Sequence, residues 1–532
     1  MIATPLRFSP SSVKRSDDGC PRYRARKARP GQTRVNSAPS KRTSRETYGL
    51  GPLEKVLDLV EFDDLDVHTA LRRWSGGRGR DAHPALVRWT EHAARQYLGA
   101  SAELADGLFL RPVSRRWARR LDQPLDGLVA PHEEIVYGRR YAGDGVRELR
   151  LLRFRGVNDR RRDDAEVALA AAVLSAGGPV LSDPWRPGPL VIKQYEPPRR
   201  VRIVEVGCLD GSSNVLFDGA PEEAMTAYER HARTRVHEVA VGEALRPGTD
   251  CVRCPMVADC PAVPSVPGLL GIRDDTRPRR TWSVSTARRY GKCPPIPYFH
   301  DLNLPLDTGR EENESTARGR VVHYEIETRH RRVPPRACAA DDAMPGSSGS
   351  AKKVGEDGLE MRLRQQMVGD HSLVCPMRNA GGDADAEFLP EHQVVVHDPA
   401  ADVVVIAKID LLYRIGGVWR FRETKTCRRL YEGDLLKKYR QVALAVLLSA
   451  EGALPGGPGG CRVELERLTA TGPVLTEFDV NDPELVREAR EIAQSSLAGW
   501  HSDDTLATSP GRACQTCGFA RWCPDAATGA GT

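Results

Sequence analysis

Val403-Val404-Val405-Ile406-Ala407-Lys408-Ile409-Asp410-Leu411-Leu412-Tyr413 is β-branched and apolar, with one carboxylate near its end. Gly416-Gly417 follows and suits a tight hairpin turn. Val418-Trp419-Arg420-Phe421-Arg422-Glu423-Thr424-Lys425 is then the return strand. Alternation along it places Glu423 and Lys425 on one face, and pairing across the hairpin brings Asp410 beside them. Two carboxylates at one point suit a hard divalent cation such as Mg²⁺ or Mn²⁺, which takes oxygen ligands and keeps waters. A lysine beside them can orient or help deprotonate water, a role arginine cannot readily take. Only 12 of the 78 basic residues are lysine, so a lysine at this place stands out.

At 532 residues the chain exceeds the roughly 150 that serve as a prior for one domain. Hydrophobic content of 40% is enough for sizeable cores, and the formal charge of +6 permits an anionic partner without demanding one. No run approaches the roughly 18 apolar residues of a membrane span, and there is no secretory leader pattern. Thirteen cysteines in such a chain point to metal or redox sites rather than disulfides. A soluble, cytoplasmic protein without membrane contact is expected.

The sequence reads as two related halves. Cys251-x2-Cys254-x5-Cys260-Pro261 and Cys514-x2-Cys517-x5-Cys523-Pro524 have one form. Helix-like Glu166-Val-Ala-Leu-Ala and Gln441-Val-Ala-Leu-Ala precede them, each ending soon after in Leu-Ser-Ala. Upstream, Gly79-Arg80-Asp81-Ala82-His83 parallels Gly319-Arg320-Val321-Val322-His323, and Cys20-Pro21 parallels Cys293-Pro294. The order suggests a tandem duplication: residues 1–263, a linker over 264–280, a second copy over 281–526 and a tail over 527–532. Residues 21–50 read as a flexible basic loop, with nine Arg or Lys and no acid over 21–45. Residues 333–385 read as a largely disordered insertion with one helical patch around Leu359 to Met367.

With these residues in view, the second copy resembles the PD-(D/E)xK nuclease superfamily and, within it, the RecB-like branch. Asp410 and Glu423-Thr424-Lys425 match its D…ExK signature, although Ile409 replaces the signature proline. Gly319 to His323 continuing to Glu327 looks like its GxxxHxxxE helix, and Gln441 matches its following glutamine helix, with Ala445 where a tyrosine is usual. The resemblance implies a restriction-endonuclease-like α/β fold, a mixed central sheet flanked by helices, in two tandem copies. It implies that Asp410, Glu423, the Thr424 carbonyl and His323 hold Mg²⁺ or Mn²⁺, while Lys425 and Gln441 arrange the attacking water.

Cys293 far upstream of Cys514, Cys517 and Cys523 makes a split set of four thiols, suited to zinc or an iron–sulfur cluster. The split is similar to the iron–sulfur members of the branch, such as the AddB nuclease domain and CRISPR-adaptation nucleases, and implies a structural 4Fe-4S cluster. Cys20, Cys251, Cys254 and Cys260 would be a second such set. Cys208, Cys338, Cys375, Cys427 and Cys461 read as ordinary thiols.

In the first copy the catalytic hairpin has eroded. Matching Tyr141 to Tyr413 puts Gly138, Leu151 and Arg153 opposite Asp410, Glu423 and Lys425, and counting from the helix instead offers Glu148 and Arg150. A nuclease-dead copy is expected, with Arg139, Arg140, Arg160, Arg161 and Arg162 suited to phosphates. The leading expectation is a metal-dependent DNA nuclease, an exonuclease on single-stranded ends used in DNA repair. The alternative is a non-catalytic DNA-binding or scaffolding protein, and RNA is not excluded as substrate. No GxxxxGK[ST] motif occurs, so unwinding would need a separate helicase.

Overall fold

The computed structural model describes residues 5–15, 19–31, 45–104, 107–122, 131–311, 313–340, 358–495 and 497–526. Parts of the expected basic loop (32–44) and insertion (341–357), and the tail (527–532), lie outside the described residues. In the C-terminal half, strands β8 (Arg280–Trp282), β9 (Glu387–Asp398), β10 (Val403–Ile415), β11 (Val418–Thr426), β12 (Cys461–Thr469) and β13 (Gly472–Phe478) form one mixed sheet. β10 is its axis: β9 runs antiparallel along one edge, and β8 and β11 share the other. β8 pairs with Val403 to Val405 and β11 with Leu411 to Ile415, which leaves a fork in the sheet just before Leu411.

The β10–β11 hairpin closes as its sequence demands. Gly416 and Gly417 take φ of +58° and +73°, the left-handed pair that matches strand twist in a two-residue turn. β12 lies parallel to β11, so the chain must cross over, and it does so through a helix. That helix, α9 (Arg440–Ala450), is buried from Val442 to Ser449 between the sheet and Pro483–Gln494. Being apolar all round, it cannot be a surface helix.

The N-terminal half repeats this path. β4 (Arg139–Gly143) and β5 (Val146–Arg153) form a hairpin whose turn, Asp144 and Gly145, has φ of +52° and +76°. A buried crossover helix, α5 (Asp164–Ala176), leads to β6 (Arg200–Gly207) parallel to β5, and β7 (Ser213–Gly219) turns back antiparallel. A second small sheet holds β1 (Leu6–Phe8), β2 (Trp117–Leu121) and β3 (His132–Ile135), and helices α2 (Gly51–Phe62), α3 (Val67–Gly76) and α4 (Pro84–Leu104) cover the other flank. Both halves are thus mixed sheets flanked by helices.

Two segments depart from expectation. The start of the supposed basic loop is helix α1 (Pro21–Lys27), because Tyr23 and Ala25 bury their side chains. The insertion contributes an ordered helix, α8 (Gly358–Val374), longer than the expected patch. Met367 and Val368 pack there on Val322 and Ile326 of α7 (Glu314–His330) and on Leu468. No helix among the described residues is long and apolar enough to cross a membrane.

Candidate active site and cysteine clusters

The fork beside β10 decides where the chemistry sits. Past Arg422, β11 no longer pairs with β10 and stays on β12, so the Thr424 N–H loses its β10 partner. Asp410 Oδ2 accepts that N–H at 2.7 Å. On the far side Thr424 Oγ1 donates to Glu466 Oε2 of β12 at 3.2 Å. Asn313 caps α7 by accepting from Thr316 N, and the helix delivers His323 with Nδ1 3.3 Å from Asp410 Oδ1. Glu423 and Lys425 share a face, and the Lys425 ammonium donates to Glu423 Oε1.

Glu423 Oε2 is buried and has no partner among the described residues. An unpaired buried carboxylate oxygen is costly, and a cation is the natural way to satisfy it. Burial first, and the Asp410 charge second, push the Glu423 carboxyl up to about 7. Burial would raise Asp410 as well, but the His323 hydrogen bond and charge hold it below the usual carboxylate range. For Lys425, burial favours the neutral amine, yet Glu423 and Asp410 outweigh it and keep the ammonium.

A further carboxylate completes the set. Glu391 interrupts β9, with Pro390 opposite Leu411 and His392 opposite Ile409, and takes φ of +55°. This turns its side chain to Asp410: ligand atoms of His323, Glu391 and Asp410 all lie within 4.8 Å of one another. Lys408 pairs with Glu391. Sequence reading missed Glu391, although a proline inside a strand marks an irregular edge where side chains are re-aimed. The donor set is oxygen-rich with one imidazole, which fits Mg²⁺ or Mn²⁺. Gln441 lies in the first turn of α9 and makes no hydrogen bond to Lys425 among the described residues, whose partner is Glu423.

Cys293, Cys514, Cys517 and Cys523 line one cavity, although Cys293 is more than two hundred residues from the others. Several accept backbone N–H groups: Cys293 from Ser509 at 3.3 Å, Cys517 from Phe519 and Cys523 from Asp525. Burial pushes these three thiols up, so thiolates there need a compensating cation. Cys20, Cys251, Cys254 and Cys260 gather in the same way, with Cys251 accepting from Gly248 N at 3.4 Å. In neither quartet do three sulfurs come within 4.8 Å of one another.

Each quartet packs against the other half. Cys251 and Cys254 share a core with Val395 and Val404 of β9 and β10. Cys293 and Cys517 border a core joining Phe519 and Trp522 to α2, α3 and α4.

In the first half the hairpin register agrees with one of the two expected alignments, and the arginines depart from expectation. The shared turn geometry sets Val146 level with Val418, so Gly138, Leu151 and Arg153 stand where the other hairpin has Asp410, Glu423 and Lys425. His83 is not on a helix face. It precedes α4, accepts from Ala85 N at 3.1 Å and packs edge-on against Phe299. Of the five arginines expected to meet phosphates, Arg139 is buried against Asp58 and Glu61. Arg140 donates to the carbonyls of Val113, Gly138 and Ser114, and Arg162 to Glu205 and Glu166. Arg160 and Arg161 are exposed.

Cys338 and Cys375 are not ordinary thiols. They converge with His330 and His371, all four side chains buried and their ligand atoms within 4.8 Å of one another. Nothing in the spacing announces this, because three of the four lie in the insertion and more than thirty residues separate Cys338 from His371.

Residues 281–524 match the family model described as the PD-(D/E)XK nuclease superfamily. No curated protein matches the chain.

Proposed function

From a PD-(D/E)XK nuclease superfamily domain over residues 281–524, which implies a nucleic-acid substrate, we propose a metal-dependent DNA nuclease that hydrolyses phosphodiester bonds, acting as an exonuclease on single-stranded ends. The observation that carries this reading is the fork at Thr424. There Asp410, Glu423 with its unpartnered Oε2, His323 and Glu391 converge beside a protonated Lys425. A divalent cation held by Asp410, Glu423, His323 and the Thr424 carbonyl would neutralise charge building on the phosphate and make bound water more acidic. His323 and the Thr424 N–H fix the Asp410 carboxylate from two sides. Lys425 donates toward the attacking water or the phosphate oxygen. Gln441 is assigned to positioning the water.

The cysteine quartet at Cys293, Cys514, Cys517 and Cys523 is proposed to hold a structural 4Fe-4S cluster that staples the two ends of the domain. Cys20, Cys251, Cys254 and Cys260 would hold a second. The common path of the two sheets supports duplication of a RecB-like unit, and Gly138, Leu151 and Arg153 favour a DNA-positioning role for the first copy.

The test is degradation of end-labelled single-stranded DNA with Mg²⁺ or Mn²⁺ by anaerobically prepared protein, alongside Lys425→Ala. Metal-dependent cleavage lost in the variant is expected, and label position gives the polarity. A folded, iron-loaded wild type inactive on single-stranded DNA, duplex DNA and RNA would instead favour the binding or scaffolding role.

A further inference from the structure

We propose that His330, Cys338, His371 and Cys375 form a structural Zn²⁺ site that locks the insertion to the catalytic helix and strand. The site shares no ligand with the nuclease centre or with either cysteine quartet, although Glu466 and a common cavity make it a neighbour of the former.

The geometry is that of four ligands for one ion. His330 Nε2 lies 3.0 Å from His371 Nε2 and 3.7 Å from Cys375 Sγ. Tetrahedral zinc, with bonds of about 2.3 Å to sulfur and 2.0 Å to nitrogen, sets ligand atoms roughly 3.3–3.8 Å apart. The sulfur contact falls in that range and the imidazole contact about 0.3 Å below it, and the whole set lies within 4.8 Å. Two sulfurs and two imidazoles in a compact arrangement select zinc rather than Mg²⁺ or Mn²⁺.

Charge balance supports this assignment. Zn²⁺ with two thiolates and two neutral imidazoles is a neutral unit, and the two thiol protons leave to solvent on binding. Such a unit can sit in the interior, and His371, Cys375, Cys338 and His330 are 0%, 1%, 4% and 5% exposed. His371 is also oriented as a zinc ligand should be. Its Nδ1 donates to Glu466 Oε1 at 2.6 Å, leaving Nε2 with a lone pair toward the site. The other oxygen of Glu466 accepts from Thr424 Oγ1.

One ligand comes from α7 and three from the insertion. His330 ends α7, two turns beyond His323 and on the same face, and Cys338 follows in the chain leaving it. His371 is in the last turn of α8, and Cys375 comes directly after that helix. One ion would therefore close the loop from 338 to 371 and fix the helix that carries His323.

The experiment measures zinc and iron in the anaerobically purified full chain, with Cys338→Ser/Cys375→Ser, His371→Cys, Cys514→Ser and Asp410→Ala variants. About one Zn²⁺ per chain is expected in the wild type, absent from the double serine variant. The site is read as the one zinc lost between wild type and the double serine variant, a difference that Asp410→Ala should not produce and that is the same whether the quartets hold iron or zinc. If the double variant does not fold, Co²⁺ replacing zinc in the wild type decides. Tetrahedral ligand-field bands with thiolate-to-cobalt charge transfer support the site, and the transfer band should strengthen in His371→Cys as a third thiolate joins. A zinc-free wild type that takes up neither ion, a folded double variant with the same zinc content as the wild type, or octahedral cobalt without thiolate bands would each overturn it.

Discussion

The β4–β5 and β10–β11 hairpins turn through the same two-residue geometry and feed the same crossover, yet only one can gather charge around a cation. Where β10 presents Asp410, the other hairpin has Gly138 at φ +136°, and a Cβ there would lie 2.7 Å from the Arg150 carbonyl. Where Glu423 leaves an oxygen unpartnered, the first half has an apolar Leu151. Glu148 and Arg150 offer no substitute: Arg150 donates to Glu148 Oε1 at 2.6 Å, and the other carboxylate oxygen forms an ion pair with Arg202 at 2.7 Å. One hairpin keeps carboxylate capacity in reserve for something outside the chain, and the other spends all of it on internal arginines.

The contrast is broken most sharply at the lysine. Lys425→Ala should lower cleavage by about 10³-fold, the scale of removing a charged transition-state donor, whereas Arg153→Ala should leave it unchanged in the same end-label assay. If Arg153→Ala were as damaging, the assignment of the halves would be reversed.

The reserved carboxylate should also show in stability against pH. Glu423 is raised from 4.5 to about 7, so it binds its proton more tightly folded than unfolded. Metal-free protein should therefore carry this contribution fully below 4.5 and lose it as pH rises through 7, by at most ~3 kcal/mol. Denaturant titrations in EDTA check this: Glu423→Gln should flatten the slope, and Mg²⁺ should oppose it by favouring the ionised form.

Grafting the set onto the first half is expected to fail. Gly138→Asp with Leu151→Glu and Arg153→Lys should yield no second activity, because Asp at 138 meets both backbone strain and the Arg150 carbonyl. A loss of ~2 kcal/mol for Gly138→Asp alone, read by thermal unfolding, is the expected cost. At the small end, Arg161→Ala should change stability by less than ~0.5 kcal/mol, since its pair with Asp164 is exposed. Its effect on the salt dependence of DNA binding then reports any phosphate contact without a folding artefact.

What could be read from sequence follows how local each feature is. Asp410, Glu423 and Lys425 lie on one hairpin whose turn is written as Gly-Gly, so alternation alone brings them together. The distant cysteines were legible because two similar sets with one spacing corroborate each other. Glu391 was not, since its aim depends on a strand irregularity. The His330–Cys375 group was not, because its ligands flank a Gly-, Asp- and Ser-rich stretch whose composition argued against order. The parallel at His83 fixes the residues but not where the helix begins: here it begins one residue after the histidine, whereas α7 begins nine before His323.

The packing of Phe519 and Trp522 against α4 has a consequence for biosynthesis. Trp89 meets Trp522 edge-on at 5.1 Å, yet the ribosome adds Trp522 more than four hundred residues after Trp89. The helical layer over the first half must wait, its apolar face uncovered, through synthesis of the entire nuclease domain. Nascent chains stalled before residue 519 should therefore recruit holdase chaperones through the N-terminal half, long after its own residues have emerged.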